Sequence, residues 1–457
     1  MAKSYLSNSD YVKPALPIIV QTYPEHTLEI GEFIRTTLDL TMYKPFSSEP
    51  GFYSFSVLPK FNQITTVISG TDVETLLSDP AIQAIFPDKT SHINQATFPT
   101  APPEGTFYAP IGFTRPTLGG ENVSGKYMYF TSMQWVKKLI GADIANAKGY
   151  TGLNVSVAVI DTGGTYMNPM TPPGRIIKQT AIPGLFTDAC GHGEWCVSAI
   201  VGRRSIDNTF TTINQKAVIN EGVAPDVTMY SIKGLGFVIG TGSNSMLLKG
   251  LHMALEDGVQ ITSCSWGGSA SGLKQPQDSP FYNAYTTLVN AGIIPVQAAG
   301  NSGPNPNTLD DPGDLPNVLT VGATNVVSNP KPFGPAGMVS YFSSRGPTNW
   351  GATKPDVVTP TTITDNAITG ALSMAYTHIV HNMQALAGTS MSTPVAAGLL
   401  ALMDQAYYVQ TGKYMTLTDV NNMLTAVYGN NTSNDYGYGL LSWDVFETWM
   451  NDLGFKI

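Results

Sequence analysis

Charged side chains are scarce in this sequence of 457 residues, because Asp, Glu, Lys and Arg together make up only 12% of it. Ordinary soluble domains carry about a quarter. The formal charge of −9 comes with no basic cluster, which argues against nucleic acid as a partner. Uncharged polar residues fill the surface instead, and such a surface favours an extracellular or particle-bound protein.

Cysteine and long apolar runs are also in short supply. Three cysteines allow at most one intrachain disulfide, which excludes a disulfide-stapled scaffold. No apolar run approaches the roughly 18 residues of a membrane-spanning helix, so we expect no membrane span. The first residues lack the charged and apolar regions of a secretory signal. Either a signal is missing from this sequence, or the protein stays inside a cell, or it leaves by another route; we expect an extracellular or secreted protein.

The strongest chemical signal that is present is the segment 388–394, Gly-Thr-Ser-Met-Ser-Thr-Pro. The small and apolar run that follows predicts a buried helix, and Pro394 is tolerated just inside a helix start. Ser390 would then lie at a helix N-terminus, where free N–H groups and the helix dipole favour developing negative charge. That position suits a nucleophile whose attack creates an oxyanion, although a simple cap is the commoner use of serine there.

Two further segments carry an aspartate and a histidine. The β-branched run 155–160 is typical of a central parallel strand, and Asp161 follows it at the edge where sites of such sheets gather. A carboxylate there can orient a histidine by accepting from its ring N–H; a turn aspartate is the alternative. His192 lies between two glycines at the start of an apolar helix, where it can approach both a carboxylate and a serine. A structural histidine is the alternative.

In combination, and in the order Asp, His, Ser, these segments resemble the motifs of the subtilisin-like serine proteases, the subtilases. The resemblance runs from about residue 50 to the C-terminus. It implies an α/β, three-layer fold with a mainly parallel central sheet. It also implies peptide-bond hydrolysis through an acyl-enzyme, in which Ser390 attacks, His192 transfers the proton and Asp161 fixes the imidazole tautomer. Asn301 ends a strand in a segment that resembles the oxyanion-hole motif, and its amide would donate beside the N–H of Ser390.

The resemblance places two edge strands that would hold a polypeptide substrate as an added β-strand. One lies at 240–242 and the other within 261–268. The predicted substrate-binding residues are Gly240, Gly242, Ser265, Trp266 and Gly267. An ordinary buried strand followed by a turn is the simpler interpretation, and both can hold together.

The histidine segment departs from the family pattern, because Glu194 and Trp195 replace the usual Thr and His. We expect Glu194 to face solvent. Cys196 follows His192 by four residues, as a free cysteine does in the proteinase K branch, so we expect a buried, unreactive thiol rather than a metal ligand. A disulfide between Cys190 and Cys196 stays open, because it depends on geometry that spacing does not give.

The chain divides into three predicted parts. Residues 1–88 are expected to form a small α+β domain that resembles the inhibitory propeptide of subtilases. Residues 89–127, rich in Pro, Gly and Thr, are expected to be an extended linker that holds any maturation site. Residues 128–457 are the predicted catalytic domain. The resemblance implies that the propeptide acts as an intramolecular inhibitor with its tail in the cleft; an unrelated small domain is the alternative.

Specificity and metal binding are less well marked. Asp310, Asp311 and Asp314 fall in the segment that lines the first specificity pocket in the family, and could select a basic side chain. Asp-Pro-Gly is also ordinary turn chemistry. Asp356 matches a calcium ligand of some relatives, and oxygen suits calcium, but a single carboxylate is thin support. We therefore predict no metal-site residue and no required cofactor, and leave calcium open.

Three alternatives to an active protease remain. One is a catalytically silent structural or binding protein on a subtilase fold, such as a particle coat component, against which the complete Asp161, His192, Ser390 and Asn301 set argues. The second is a self-inhibited precursor that cuts only itself. The third is a sedolisin, an acid-active relative that uses Glu in place of the histidine, which His192 disfavours.

Overall fold

The computed structural model describes most of the chain in segments with gaps between them. The described residues are 3–7, 16–37, 56–68, 72–93, 106–110, 127–164, 170–171, 176–182, 186, 188, 190–206, 217–236, 240–325, 339–362, 367–371 and 383–457. Parts of the predicted N-terminal domain and most of the predicted linker lie outside these residues.

The described N-terminal segments form a sheet with two helices. Its strands are β1 (Lys3–Ser4), β2 (Leu16–Thr22), β3 (Ser56–Leu58), β4 (Gln63–Ile68) and β5 (Ile82–Pro87), in the spatial order β1-β5-β2-β4-β3. The helices are α1 (Thr27–Thr37) and α2 (Val73–Leu77). Ile18 and Val20 of the central strand β2 are fully buried in one cluster with Ile34 of α1. The helices therefore cover one face of the sheet, an α+β arrangement.

A large parallel sheet forms the centre of the rest of the described chain. It has seven strands in the spatial order β10-β13-β9-β15-β17-β19-β20. Every described pairing in it is parallel. The strands are β9 (Ser156–Asp161), β10 (Ile176–Thr180), β13 (Thr228–Lys233), β15 (Ile261–Cys264), β17 (Ile294–Ala298), β19 (Leu319–Asn325) and β20 (Val357–Thr362).

Helices cover both faces of this sheet. The larger ones are α5 (His192–Val201), α6 (Asn244–Glu256), α7 (Tyr282–Asn290), α8 (Thr389–Thr411), α9 (Leu417–Tyr428) and α10 (Trp443–Asp452), after the short α3 (Met133–Leu139) and α4 (Ala142–Ala147). None of the helices in the described segments has an apolar stretch long enough to cross a lipid bilayer.

Alternate residues of β9 show how the layers form. Val157 and Val159 belong to the core cluster that includes α5 and α8. Ala158 and Ile160 belong to the cluster that includes α6 and α7. Because side chains alternate across a strand, an uninterrupted apolar run is what a strand covered on both sides requires. The three-layer α/β fold predicted from the sequence is confirmed.

Short strands complete the described structure. One small sheet has the order β14-β6-β16-β18, from β6 (Thr90–Ile93), β14 (Thr241–Ser243), β16 (Trp266–Ser269) and β18 (Asp310–Asp311). The others are β7 (Thr106–Pro110), β8 (Tyr127–Thr131), β11 (Ser205–Ile206), β12 (Ile219–Asn220), β21 (Ala367–Ala371) and β22 (Met383–Leu386). Strands β6 and β7 lie within the part predicted to be an extended linker.

Candidate active site

Asp161 and His192 meet at the carboxyl end of the central strand β9. Asp161 is the last residue of β9, His192 is the first of α5, and Nδ1 of the ring lies 2.8 Å from Oδ1 of the carboxylate. Both side chains are 1% exposed. Because an ionised carboxylate only accepts hydrogen bonds, Nδ1 carries the ring proton and Nε2 is left as the acceptor. Nε2 is buried and has no hydrogen-bond partner among the described residues, so the ring retains a vacant proton acceptor.

The close approach of α5 to β9 depends on a glycine. A Cβ at Gly193 would lie 2.6 Å from the carbonyl oxygen of Gly163, much closer than such atoms come in proteins. Glycine at position 193 therefore lets His192 reach the carboxylate at the strand end.

A buried carboxylate holds the start of α5. Asp188 accepts from the backbone N–H of Gly191 at 2.7 Å through Oδ1 and from that of Glu194 at 3.0 Å through Oδ2. These are N–H groups that a helix start leaves without intrahelical partners. Burial raises the pKa of Asp188, and the two N–H groups partly offset this. Asp188 thus fixes the turn that presents His192, a contribution that the sequence analysis missed.

Glu194 does not face solvent, contrary to expectation. It is 1% exposed, and its Oε1 accepts from the hydroxyl of Thr171 at 3.0 Å. The reason is that all ten residues of α5 are buried, so no side of its first turn reaches water. Trp195 is likewise fully buried, in the core cluster beneath the site.

Ser390 is the second residue of the long helix α8, at the position where a helix N–H has no intrahelical partner. Its side chain is fully buried. The hydroxyl donates to the carbonyl oxygen of Ser265 at 2.8 Å rather than to His192. The structure therefore brings the aspartate and histidine into direct contact, with the serine hydroxyl turned to a neighbouring carbonyl.

Pro394 explains why the backbone of Ser390 is tied to its neighbours. It is the sixth residue of α8, beyond the first four positions whose N–H groups have no intrahelical partner, so the reason predicted for its tolerance does not hold. A proline here has no N–H to give to the carbonyl of Ser390, four residues earlier. The hydroxyl of Ser265 donates to that carbonyl oxygen at 2.9 Å, and the thiol of Cys196 lies 3.7 Å from it. The two serines thus bond reciprocally.

Cys196 lies beneath the histidine. Its Sγ is 3.9 Å from Nδ1 of His192. None of the three cysteines, all within the described segments, forms a disulfide, so Cys190 and Cys196 are not bonded to each other. Burial, followed by the charge of Asp161, raises the pKa of the Cys196 thiol well above its usual value. The ligand atoms of Asp161, His192 and Cys196 lie within 4.8 Å of one another, and two of them, Oδ1 of Asp161 and Nδ1 of His192, are already hydrogen-bonded to each other.

Asn301 lies beside the first turn of α8 with its amide orientation fixed. Its Oδ1 accepts from the backbone N–H of Thr389 at 2.9 Å and from the Thr389 hydroxyl at 3.0 Å. Because a backbone N–H can only donate, the atom that faces it is the oxygen, which settles the usual ambiguity of an amide. Nδ2 is buried and has no partner among the described residues. An oriented N–H donor thus stays available next to Ser390.

The two predicted edge strands flank a third strand from the N-terminal part of the chain. β6 pairs antiparallel with β14 on one side and with β16 on the other. Gly242 pairs with Ser91 and Gly267 with His92. Gly240 precedes β14. Trp266 contributes its backbone to the ladder, whereas its side chain is fully buried and donates from Nε1 to the carbonyl of Ile160 at 2.9 Å.

An acidic cavity lies next to this ladder. It has a volume of about 470 Å³ and is lined by Ser269, Ser302, Asp310 and Asp314, among others. The side chain of Asp310 packs closely against two glycines. A Cβ added at Gly267 would lie 2.7 Å from Cβ of Asp310, and one added at Gly300 would lie 2.8 Å from Oδ2 of Asp310. The cavity is therefore walled by the edge strand β16 and by the loop that carries Asn301.

Asp314 is the most unusual group of the cavity. It is 1% exposed, and neither carboxyl oxygen has a hydrogen-bond partner among the described residues. Burial, and after it the charge of Asp311, raises the pKa of Asp314 to about 9. Burial also raises the pKa of Asp311 to about 6, although the hydroxyl of Ser279 donates to it at 2.6 Å. Burial therefore favours the neutral form of Asp314.

Asp356, the residue matched to a calcium ligand of some relatives, is held by protein groups. Its Oδ2 accepts from the amino group of Lys354 at 2.6 Å and from the backbone N–H of Thr320 at 2.7 Å. The possibility of a calcium ion at this residue stays a prediction.

The family model described as the subtilase family matches residues 152–439, which is more than half of the chain. The chain belongs to the subtilase family. The resemblance identified from the sequence motifs is thus confirmed, and this subtilase is a serine endopeptidase.

Similar curated proteins agree with this assignment. Serine protease AprX of Bacillus subtilis is 29% identical over 317 residues, which are 65% of this chain and 67% of the relative. Subtilisin DY of Bacillus licheniformis is 30% identical over 311 residues, 66% of this chain and 94% of the relative. Alkaline elastase YaB of a Bacillus species is 29% identical over 278 residues, 60% of this chain and 61% of the relative.

Proposed function

We propose that this subtilase cuts polypeptides through an acyl-enzyme formed on Ser390. The observation that carries the proposal is a pair of buried, vacant groups: an acceptor, Nε2 of His192, and a donor, Nδ2 of Asn301. Proton transfer from a serine needs the first, and an oxyanion needs the second. The thiol of Cys196 lies 3.9 Å from the His192 ring and 3.7 Å from the Ser390 carbonyl oxygen, so it contacts both residues.

The steps follow from these positions. The Ser390 hydroxyl turns from Ser265, its oxygen attacks the substrate carbonyl carbon, and its proton passes to Nε2 of His192. The amide of Asn301 and the N–H of Ser390 hold the oxyanion. As the C–N bond breaks, the imidazolium returns the proton to the leaving amine, and water then cleaves the ester with the same ring as base. Asp161 stays ionised and holds Nδ1–H throughout.

A covalent probe tests this assignment on the full chain. A fluorophosphonate should label Ser390, and the label should disappear in Ser390→Ala and fall strongly in His192→Ala. Tryptic mass spectrometry locates the label. A wild-type protein that has lost its N-terminal part and still takes no label would instead support a silent, subtilase-fold binding protein.

The N-terminal domain serves, in this proposal, as an intramolecular inhibitor. Strand β6 fills the place between β14 and β16 where a polypeptide substrate would add as a strand. Asp88, just before β6, accepts from the N–H of Ser245 at the start of α6 at 2.9 Å. At the first strand of the domain, Lys3 and Tyr5 both donate to Oδ1 of Asp278, at 2.7 and 2.9 Å. These contacts support a domain that docks on its own catalytic partner.

Self-processing is the matching test. Wild-type chain should cut itself soon after β6, and Ser390→Ala should stay whole; N-terminal sequencing reads the product. An uncut wild-type chain that also fails to cleave casein would favour a permanently self-inhibited precursor. The scarcity of charged side chains supports an extracellular or secreted site of action.

We also propose that the acidic cavity selects a basic residue before the cut bond. Asp310 and Asp314 line it, and a guanidinium that enters would lower the pKa of Asp314 and ionise it. Peptides with Arg at that position should react at least about tenfold faster in kcat/KM than those with Leu or Phe, with Asp310→Asn removing most of the difference. Equal rates after Arg, Leu and Phe would overturn this specificity.

A further inference from the structure

The pairing register of β6 indicates which side chains of a bound polypeptide the cleft contacts. Its described rungs run from Thr90 opposite Ser243 to Ile93 opposite Trp266. The residue before Trp266 is Ser265, whose carbonyl oxygen accepts from the hydroxyl of Ser390. A substrate that follows the same antiparallel ladder would thus set its next residue opposite Ser265, at the nucleophile. The position of Ser91 is then the fourth residue before the cut bond.

The Ser91 side chain enters a buried polar site. Ser91 is 2% exposed, and its hydroxyl donates to Oδ1 of Asn244 at 3.0 Å. Asn244 is 5% exposed and is the first residue of α6. Its backbone N–H donates to the carbonyl of Lys89 at 2.9 Å, so Asn244 also contacts the residue that immediately precedes β6.

The residues that surround this contact have small side chains. Ser91 pairs directly with Gly242, which offers no side chain, and the next residue is Ser243. The hydroxyls of Ser243 and Ser245 bond to each other at 2.7 Å, both being nearly fully buried. Both hydroxyls also bond to the carboxylate of Asp88, so the asparagine oxygen is the group that the entering side chain satisfies.

We propose that Asn244 is a specificity-determining residue that selects serine at the fourth position before the cut bond, an inference that rests on the proposed function. An alanine there leaves the buried amide oxygen without its donor. A leucine at the same substrate position would also place an apolar side chain against the buried amide of Asn244. A site built to bond a hydroxyl rejects partners that lack one more strongly than an apolar pocket rejects a missing methylene.

Peptides that differ only at this position test the proposal on the self-processed enzyme. With serine, kcat/KM should exceed that with alanine or leucine by about tenfold or more. Asn244→Leu should reverse the order of serine and leucine. Asn244→Asp, which keeps an acceptor in place, should retain the serine preference. The matched control is Asn422→Leu, the same change at an exposed position on α9.

Each outcome is decisive. No turnover of any peptide by the wild-type enzyme would refute the proposed catalytic site rather than this inference. Equal turnover of the three peptides by the wild-type enzyme would overturn the inference without need of a variant. A purely structural Asn244 would lower all three rates together in Asn244→Leu and leave their ratios unchanged, which also contradicts it.

Discussion

Asn301 provides the sharpest test of the site, because its two amide atoms have different tasks. Nδ2 is vacant, whereas Oδ1 holds the N–H and hydroxyl of Thr389 at 2.9 and 3.0 Å. Asn301→Leu removes both functions. Asn301→Asp keeps an acceptor for Thr389 and removes the donor, so the two variants separate catalysis from stability.

The expected magnitudes differ for the two tasks. Loss of one oxyanion donor in subtilisin itself costs about 10²–10³ in kcat, and we expect both variants to lose at least that much with little change in KM. Leaving the buried donors of Thr389 unpaired costs about 1–3 kcal/mol. In a chain of 457 residues that corresponds to a Tm lower by about 1–3 °C, for Asn301→Leu alone.

Steady-state kinetics on a short chromogenic peptide and calorimetry of the same preparations measure both quantities. Asn422→Leu serves again as the exposed control. If Asn301→Asp kept kcat within about twofold of wild type, the donor role would be refuted. If Asn301→Leu alone lost activity and also had a lower Tm, the role of Asn301 would be to hold Thr389 in place and not to donate to the oxyanion.

Three further predictions concern the supports of the site. Gly193→Ala should abolish peptide hydrolysis and lower Tm, because its Cβ would lie 2.6 Å from the carbonyl oxygen of Gly163; a fully active variant would contradict that crowding. Burial raises the pKa of Asp88 to about 6 from 3.8, so docking is favoured below about pH 4 and that advantage is lost as pH rises through 6. The fraction of the cut N-terminal fragment that elutes with the catalytic domain in size-exclusion chromatography should therefore fall between pH 4 and 7. Asp88→Asn should remove this pH dependence; an unchanged pH dependence in the variant would assign the effect to another group. Cys196 and Cys264 should resist iodoacetamide at pH 8 until the protein unfolds, since burial raises both thiol pKa values, that of Cys264 to about 12; labelling of either in the native enzyme would contradict this.

The sequence predicted the layers and the principal groups because their signals are local. A short β-branched run such as 155–160 is typical of a strand covered on both faces. An aspartate at its end, a histidine between glycines and a serine before a helix are likewise signals carried by adjacent residues. The structure places Asp161 and His192 in contact as that pattern predicts. The roles of these residues remain predictions until the variants are measured.

Contacts between distant segments had no such signal. Ser265 and Ser390 lie 125 positions apart, and Ser91 and Asn244 lie 153 apart. Composition indicated solvent for Glu194, since charged residues are seldom buried, but a completely enclosed helix overrides that tendency. Proline and glycine content likewise indicated a linker where β6 forms, because the partner strands that order it come more than a hundred residues later.

The proposed competition between β6 and substrate for one place predicts a dependence on protein concentration. In that proposal, β6 competes before the cut as a tethered group, whose effective concentration, on the order of millimolar, does not change on dilution. Once the connection is cut, the same strand competes as an ordinary solute. Inhibition of the cut enzyme should then depend on protein concentration. The enzyme should be inhibited in concentrated solution and become active on dilution.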